Sequence, residues 1–66
     1  MYIIDVKELG KGRAKQLCVK AMYEFSRDLD MPSRFQLVEN VMLCKNIDEE
    51  LQFYKETLKG RYDVRT

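Results

Sequence analysis

The sequence predicts a single small domain of the α+β class, mainly helical, over residues 1–66. Apolar and polar residues alternate at the start of the chain, which is typical of a short strand. Three later segments repeat apolar residues at spacings of three and four, which indicates amphipathic helices. Glycine, proline and asparagine lie between these segments. We therefore expect a short N-terminal strand, three helices, and then either a short C-terminal strand or a frayed tail.

The predicted strand covers residues 1–6, where β-branched and aromatic side chains recur with a period of two. One face of this half-buried strand carries Tyr2, Ile4 and Val6. Met1, Ile3 and Asp5 are expected on the other face. Residues 7–12 contain two glycines and are predicted to form a turn.

The first predicted helix begins at Arg13 and ends near Leu29. Its apolar stripe consists of Ala14, Leu17, Cys18, Ala21, Met22, Phe25 and Leu29. The second predicted helix follows a turn at residues 30–33, where Pro32 suits the first helical turn because an N–H there would have no intrahelical partner. It runs to about Cys44 and is apolar over far more than one stripe, so we expect it to be central to the core or shared with another chain.

The third predicted helix begins after Asn46, which can cap it, with Glu49 three residues later reaching back as in a capping box. Its buried stripe is predicted to be Ile47, Leu51, Tyr54 and Leu58. Gly60 can adopt the left-handed backbone conformation that commonly ends a helix. In residues 61–66, Tyr62 and Val64 alternate with polar residues, which fits either a strand or a tail.

Composition excludes several classes of function. The chain has no His, which excludes a His-based general base, a Ser-His or Cys-His pair and most zinc sites. Its net charge is +1, so no bulk attraction to nucleic acid or membrane dominates. No apolar run approaches the roughly 20 residues that span a bilayer, and no signal-peptide pattern opens the chain. We expect a cytoplasmic protein that is not an enzyme and uses no metal or cofactor.

Cys18 and Cys44 both fall within predicted helices, where a free cysteine behaves as a small apolar residue. We expect two reduced thiols, with a bridge between helices or a reactive thiol as the alternatives.

Basic residues are concentrated near the N-terminus, where residues 1–20 carry five basic and two acidic side chains. Bases at a helix start oppose the helix dipole, so their placement calls for a reason. One hypothesis is an anion or nucleic-acid contact built from Lys11, Arg13, Lys15 and Lys20. The alternative is a solvated face without a ligand.

The surplus apolar surface favours a small regulator or adaptor that works by protein–protein binding. We expect the partner, another protein or a second copy of the chain, to contact Phe35, Met42 and Phe53, with part of the basic cluster as a charged rim. Phe53 lies about 200° around the third helix from Leu51. Its alternative role is packing beneath one of the terminal segments.

A strand followed by two helices, in residues 1–6 and 13–43 with a turn at residues 29–34, resembles the ribbon-helix-helix family of small repressors. The resemblance implies a dimer in which two chains pair their strands and outward strand side chains enter the major groove. A dimeric DNA-binding transcriptional regulator is therefore the alternative function. A third hypothesis is an RNA-associated subunit that uses the basic cluster, with Tyr2 or Tyr23 stacking on bases.

Overall fold

The computed structural model describes residues 2–66, which form a mainly helical α+β fold with a short strand at each end. The elements are β1 (Tyr2–Asp5), α1 (Val6–Leu9), α2 (Lys11–Ser26), α3 (Met31–Leu43), α4 (Ile47–Thr57) and β2 (Tyr62–Arg65). The predicted fold class is confirmed, and the three predicted helices correspond to α2, α3 and α4. Met1, predicted on the outer face of the strand, lies outside the described residues.

β1 and β2 pair in parallel, so the two ends of the chain meet in one small sheet. Ile4 pairs with Val64, and both side chains are buried. Parallel neighbours need a long crossover connection, which the helices between the strands provide. The C-terminal segment is therefore a strand rather than a frayed tail.

The N-terminal segment departs from the prediction after Asp5. The strand ends there because the Asp5 carboxylate accepts hydrogen bonds from the backbone N–H groups of Lys7 (3.1 Å) and Glu8 (3.3 Å) and caps α1. Val6 is buried, but from a helix instead of the predicted strand. Tyr2 does not share the burial of Ile4 and Val6: it is 74% exposed, and its ring stacks on Tyr62 at 5.8 Å.

The hydrophobic core lies where α2 and α4 pack on each other and on the sheet. Its buried members are Ile4, Val6, Ala14, Cys18, Ala21, Met22, Leu51, Tyr54, Leu58 and Val64. Most of the predicted α2 stripe is among them, but Leu17 is 41% exposed. α2 ends at Ser26, earlier than predicted, and a short turn leads to α3.

The predicted Asn46 cap and the left-handed Gly60 after α4 are confirmed, but the predicted capping box is not formed. Asn46 caps the helix by accepting a hydrogen bond from the Glu49 N–H at 2.9 Å. The Glu49 carboxylate in turn accepts from the backbone N–H of Lys45 at 2.6 Å, one residue beyond the group that a capping box uses. Gly60 has a φ of 98°, the left-handed conformation expected where the chain turns towards β2.

α3 lies on the outside of the molecule. None of residues 31–43, all of which the structure describes, is buried, so the option that this helix is central to the core is wrong. Leu37 and Val41 are half-buried and pack against the core. Arg34 fixes the turn before α3, because its Nε donates to the carbonyl oxygens of Ser26 (2.8 Å) and Leu29 (3.1 Å).

Both cysteines are free thiols. Cys18 is buried in the core, and this burial raises the pKa of its thiol from 9.0 to about 11. Cys44 follows α3 and is half-buried. Within residues 2–66, no helix is both long and apolar enough to cross a membrane.

Candidate protein-binding surface

One face of α3 carries a continuous row of exposed apolar side chains. The row, here called the α3 stripe, consists of Met31, Phe35, Val38 and Met42. At about 100° per residue the four fall within roughly 60° of one another around the helix axis. Their exposed fractions are 57%, 62%, 56% and 78% in that order. Two of the predicted contact residues, Phe35 and Met42, therefore share one exposed surface.

An open groove of about 510 Å³ separates the α3 stripe from α2. Val38 and Met42 line it on the α3 side, and Val19 and Tyr23 line it on the α2 side. Both α2 residues are themselves exposed, at 48% and 65%. The groove thus continues the apolar surface from α3 across to α2.

Two of the polar side chains that line this groove, Tyr54 and Glu50, are hydrogen-bonded to each other. The Tyr54 hydroxyl donates a hydrogen bond to Glu50 Oε1 at 3.0 Å, and Lys15 Nζ lies 3.0 Å from Glu50 Oε2. Burial, followed by the hydrogen bond to Glu50, raises the pKa of Tyr54 well above its ordinary value. Tyr54 therefore remains a neutral hydrogen-bond donor, and Glu50 has a cation beside it.

The structure does not bring the four predicted basic residues together. Lys11 lies 2.7 Å from the Asp48 carboxylate and Lys15 lies 3.0 Å from that of Glu50, so both face α4. Arg13 and Lys20 are exposed and form no ion pair within residues 2–66. They lie roughly 140–160° around α2 from the buried Cys18. Lys20 instead lines a separate groove of about 310 Å³ between β1 and α2.

Phe53, the third predicted contact residue, is half-buried and packs against the hydrophobic core. Its ring lies 6.1 Å from that of Tyr54 at a tilt of 54°. It is absent from the described lining of the groove between α2 and α3. This position favours a packing role for Phe53 over a direct contact with a partner.

Sequence reasoning missed Met31 and Val38 in the α3 stripe and Val19 and Tyr23 across the groove. The signal for the first two was present, because positions 31, 35, 38 and 42 follow a helical period as a buried stripe would. The α2 pair carries no such signal. Only the placement of α3 beside α2 joins Val19 and Tyr23 to this surface.

The chain matches no protein-family model, no curated protein and no solved structure. The ribbon-helix-helix resemblance implies that strands of two chains pair with each other, whereas β1 here pairs with β2 of the same chain. One edge of β1 is therefore already hydrogen-bonded to β2 and is not available to a strand of a second chain.

Proposed function

We propose that this chain is a small non-enzymatic regulator or adaptor that binds another protein, or a second copy of itself, through the α3 stripe. The observation that carries the proposal is the exposure of α3: none of its 13 residues, all of which the structure describes, is buried. Four large apolar side chains on one face are instead more than half exposed. Contiguous apolar surface of this kind on a small protein marks an interaction site.

Phe35 and Met42 are the proposed anchors, because each offers a large side chain that a partner can remove from water. Burying apolar surface contributes about 25 cal/mol per Å², so each anchor can supply roughly 2–3 kcal/mol of binding free energy. A few such residues account for most of the affinity in typical interfaces. Phe53 is half-buried and packs against the core, so it is not proposed as an anchor.

In this proposal the basic residues raise the rate of association with the partner rather than the affinity. Arg13 and Lys20 are exposed and free of ion pairs within residues 2–66, so their charges reach into solvent. Charges around an apolar contact raise the association rate and make it dependent on salt. Lys11 and Lys15 contribute less, because α4 carboxylates neutralise them.

A cytoplasmic location belongs to the same proposal. Two free cysteines, with Cys18 fully buried in the core, suit a compartment that keeps thiols reduced.

The function is tested by site-specific photo-crosslinking in the cells from which the chain derives. A benzophenone amino acid replaces Phe35 in the α3 stripe, and the control carries it at Lys55, an exposed residue of α4. We expect a discrete crosslinked protein from position 35 and none from position 55. Equal or absent crosslinking at both positions would contradict the proposal.

The dimeric DNA-binding regulator is kept as a second candidate because of Arg13 and Lys20. Exposed bases that form no ion pair within residues 2–66 are available to phosphates. The pairing of β1 with β2 in the same chain gives this candidate less support than the first.

A further inference from the structure

We infer that the occupant of the α3 stripe is α3 of a second copy of this chain, packed antiparallel across a two-fold axis. The inference rests on the proposed function, and it names the partner at that same surface. Three properties of the surface support it: the spacing of its residues, the size of its exposed area and the groove beside it.

The spacing of the α3 stripe is that of a coiled-coil seam. Positions 31, 35, 38 and 42 are separated by four, three and four residues, the alternation of a and d positions in a heptad. These four positions form a seam narrower than the wide face by which a helix packs on its own domain, and the exposed Leu43 lies about 100° around the helix from Met42. The seam is the pattern that one helix presents to another single helix.

The same spacing is self-complementary when one helix is reversed. Four, three, four gives the same intervals in both directions, so an antiparallel copy matches the stripe at every position. Met31 then lies opposite the partner's Met42, and Phe35 lies opposite the partner's Val38. A two-fold interface requires this reciprocity, because each residue pair must occur twice.

The exposed area is close to the area that a stable dimer needs. Together with Val19 and Tyr23, the α3 stripe exposes on the order of 700 Å², similar to the ~800 Å² that each partner contributes to a standard interface. A domain of this length also gains stability from association with a second chain, because a short chain on its own buries only a small fraction of its surface.

The groove between α2 and α3 supplies room for side chains of the second helix. Its volume is about 510 Å³, and Val19 and Tyr23 form its far side. A helix seated on Val38 and Met42 also reaches these two residues, so each α3 contacts both α3 and α2 of the other copy. The groove is lined mainly by apolar side chains, which suits the Met and Phe side chains of such a helix.

The test is solution mass by light scattering on the full chain, with reducing agent, from about 100 µM to about 1 µM. Met42→Lys places a charge in the seam and is expected to raise the dimer dissociation constant at least about 30-fold. Gln36→Lys makes the same charge change on an exposed site outside the stripe and is expected to leave the mass unchanged.

The double variant Met31→Glu/Met42→Lys tests the antiparallel register. Each introduced glutamate would lie opposite the introduced lysine of the other copy, and both charges suit the helix dipole at their own end of α3. We expect the double variant to recover the dimer that Met42→Lys loses. In a parallel pair the like charges would face each other, and the dimer would not recover.

Four results would overturn the inference: a wild-type monomer at about 100 µM, a Met42→Lys variant that stays dimeric, a Gln36→Lys variant that dissociates equally, or a double variant that stays monomeric while circular dichroism shows native helix content. The crosslink from position 35 separates this failure from failure of the proposed function. A monomer that crosslinks to a different protein overturns the self-pairing alone, whereas a monomer without any specific crosslink overturns both.

Discussion

Tyr54 and Glu50 lie one turn apart on α4, and the Tyr54 hydroxyl donates to Glu50 Oε1 at 3.0 Å. The Tyr54 ring is fully buried, and Lys15 lies 3.0 Å from the second oxygen of the Glu50 carboxylate. This pair connects the core to the groove between α2 and α3, because both residues line that groove. The contribution of this hydrogen bond to the free energy of unfolding can be measured directly.

We expect Tyr54→Phe to lower the free energy of unfolding by about 1–2 kcal/mol, because it removes a hydrogen bond to a charged acceptor at the edge of the core. Urea unfolding followed by circular dichroism measures the change. Tyr2→Phe is the matched control, since Tyr2 is 74% exposed and lies outside the proposed interface. Equal stability of the two variants would show that the Tyr54 hydrogen bond contributes nothing measurable.

Alkaline pH is expected to destabilise the fold through Cys18. Burial raises the pKa of this thiol from 9.0 to about 11, so the folded state retains a proton that the unfolded state releases. The stability that this contributes is fully present below pH 9 and is lost as the pH rises towards 11, by at most about 3 kcal/mol.

Unfolding curves at several pH values between 8 and 11 measure this loss. In Cys18→Ala the loss of stability at high pH should be smaller. It should not vanish, because the pKa of Tyr54 is also raised and its ionisation destabilises the fold in the same direction. An identical slope in the variant and the wild type would contradict the role of Cys18.

Phe35→Ala and Phe53→Ala are expected to separate binding from stability. Phe35 is 62% exposed, so its removal should weaken association, but at a dilution where the chain is monomeric it should change the free energy of unfolding by less than about 0.5 kcal/mol. Phe53 packs against the core, so its removal should cost about 1–3 kcal/mol of stability. Thermal unfolding and solution mass, measured on both variants, check the two effects. A Phe53→Ala variant of wild-type stability with weakened association would restore Phe53 as a partner contact.

Duplex DNA provides a test of the second candidate function. We expect the mobility of labelled duplex to stay unchanged at low salt even at high protein concentration. A shift that weakens steeply with salt, and loses about two units of salt slope in Arg13→Ala/Lys20→Ala, would instead favour DNA binding. Lys55→Ala/Lys59→Ala removes the same charge from α4 and the turn that follows it, and serves as the control.

Local signals were sufficient for most of the secondary structure. Asn46 and Gly60 bound α4 because a cap and a left-handed stop act within a few residues of the chain. Asp5 also acts locally, yet its cap was missed, since strand alternation in the first six residues masked a helix start within them. The wide apolar surface of α3 was visible in the sequence, but its location in the fold was not.

The fold class, the three long helices and most residues of the buried stripes follow from the amino-acid sequence, because periodicity and capping are properties of neighbouring residues. Tertiary structure alone decided that the chain termini pair in parallel, that the predicted basic residues divide between two sides of α2, and that Phe53 packs inward. It also decided that α3 lies outside the core with its apolar face uncovered. These outcomes depend on which elements, distant in the chain, pack together to form the core. Here α2 and α4 fill the core with Cys18, Leu51, Tyr54 and Leu58, which leaves α3 outside it.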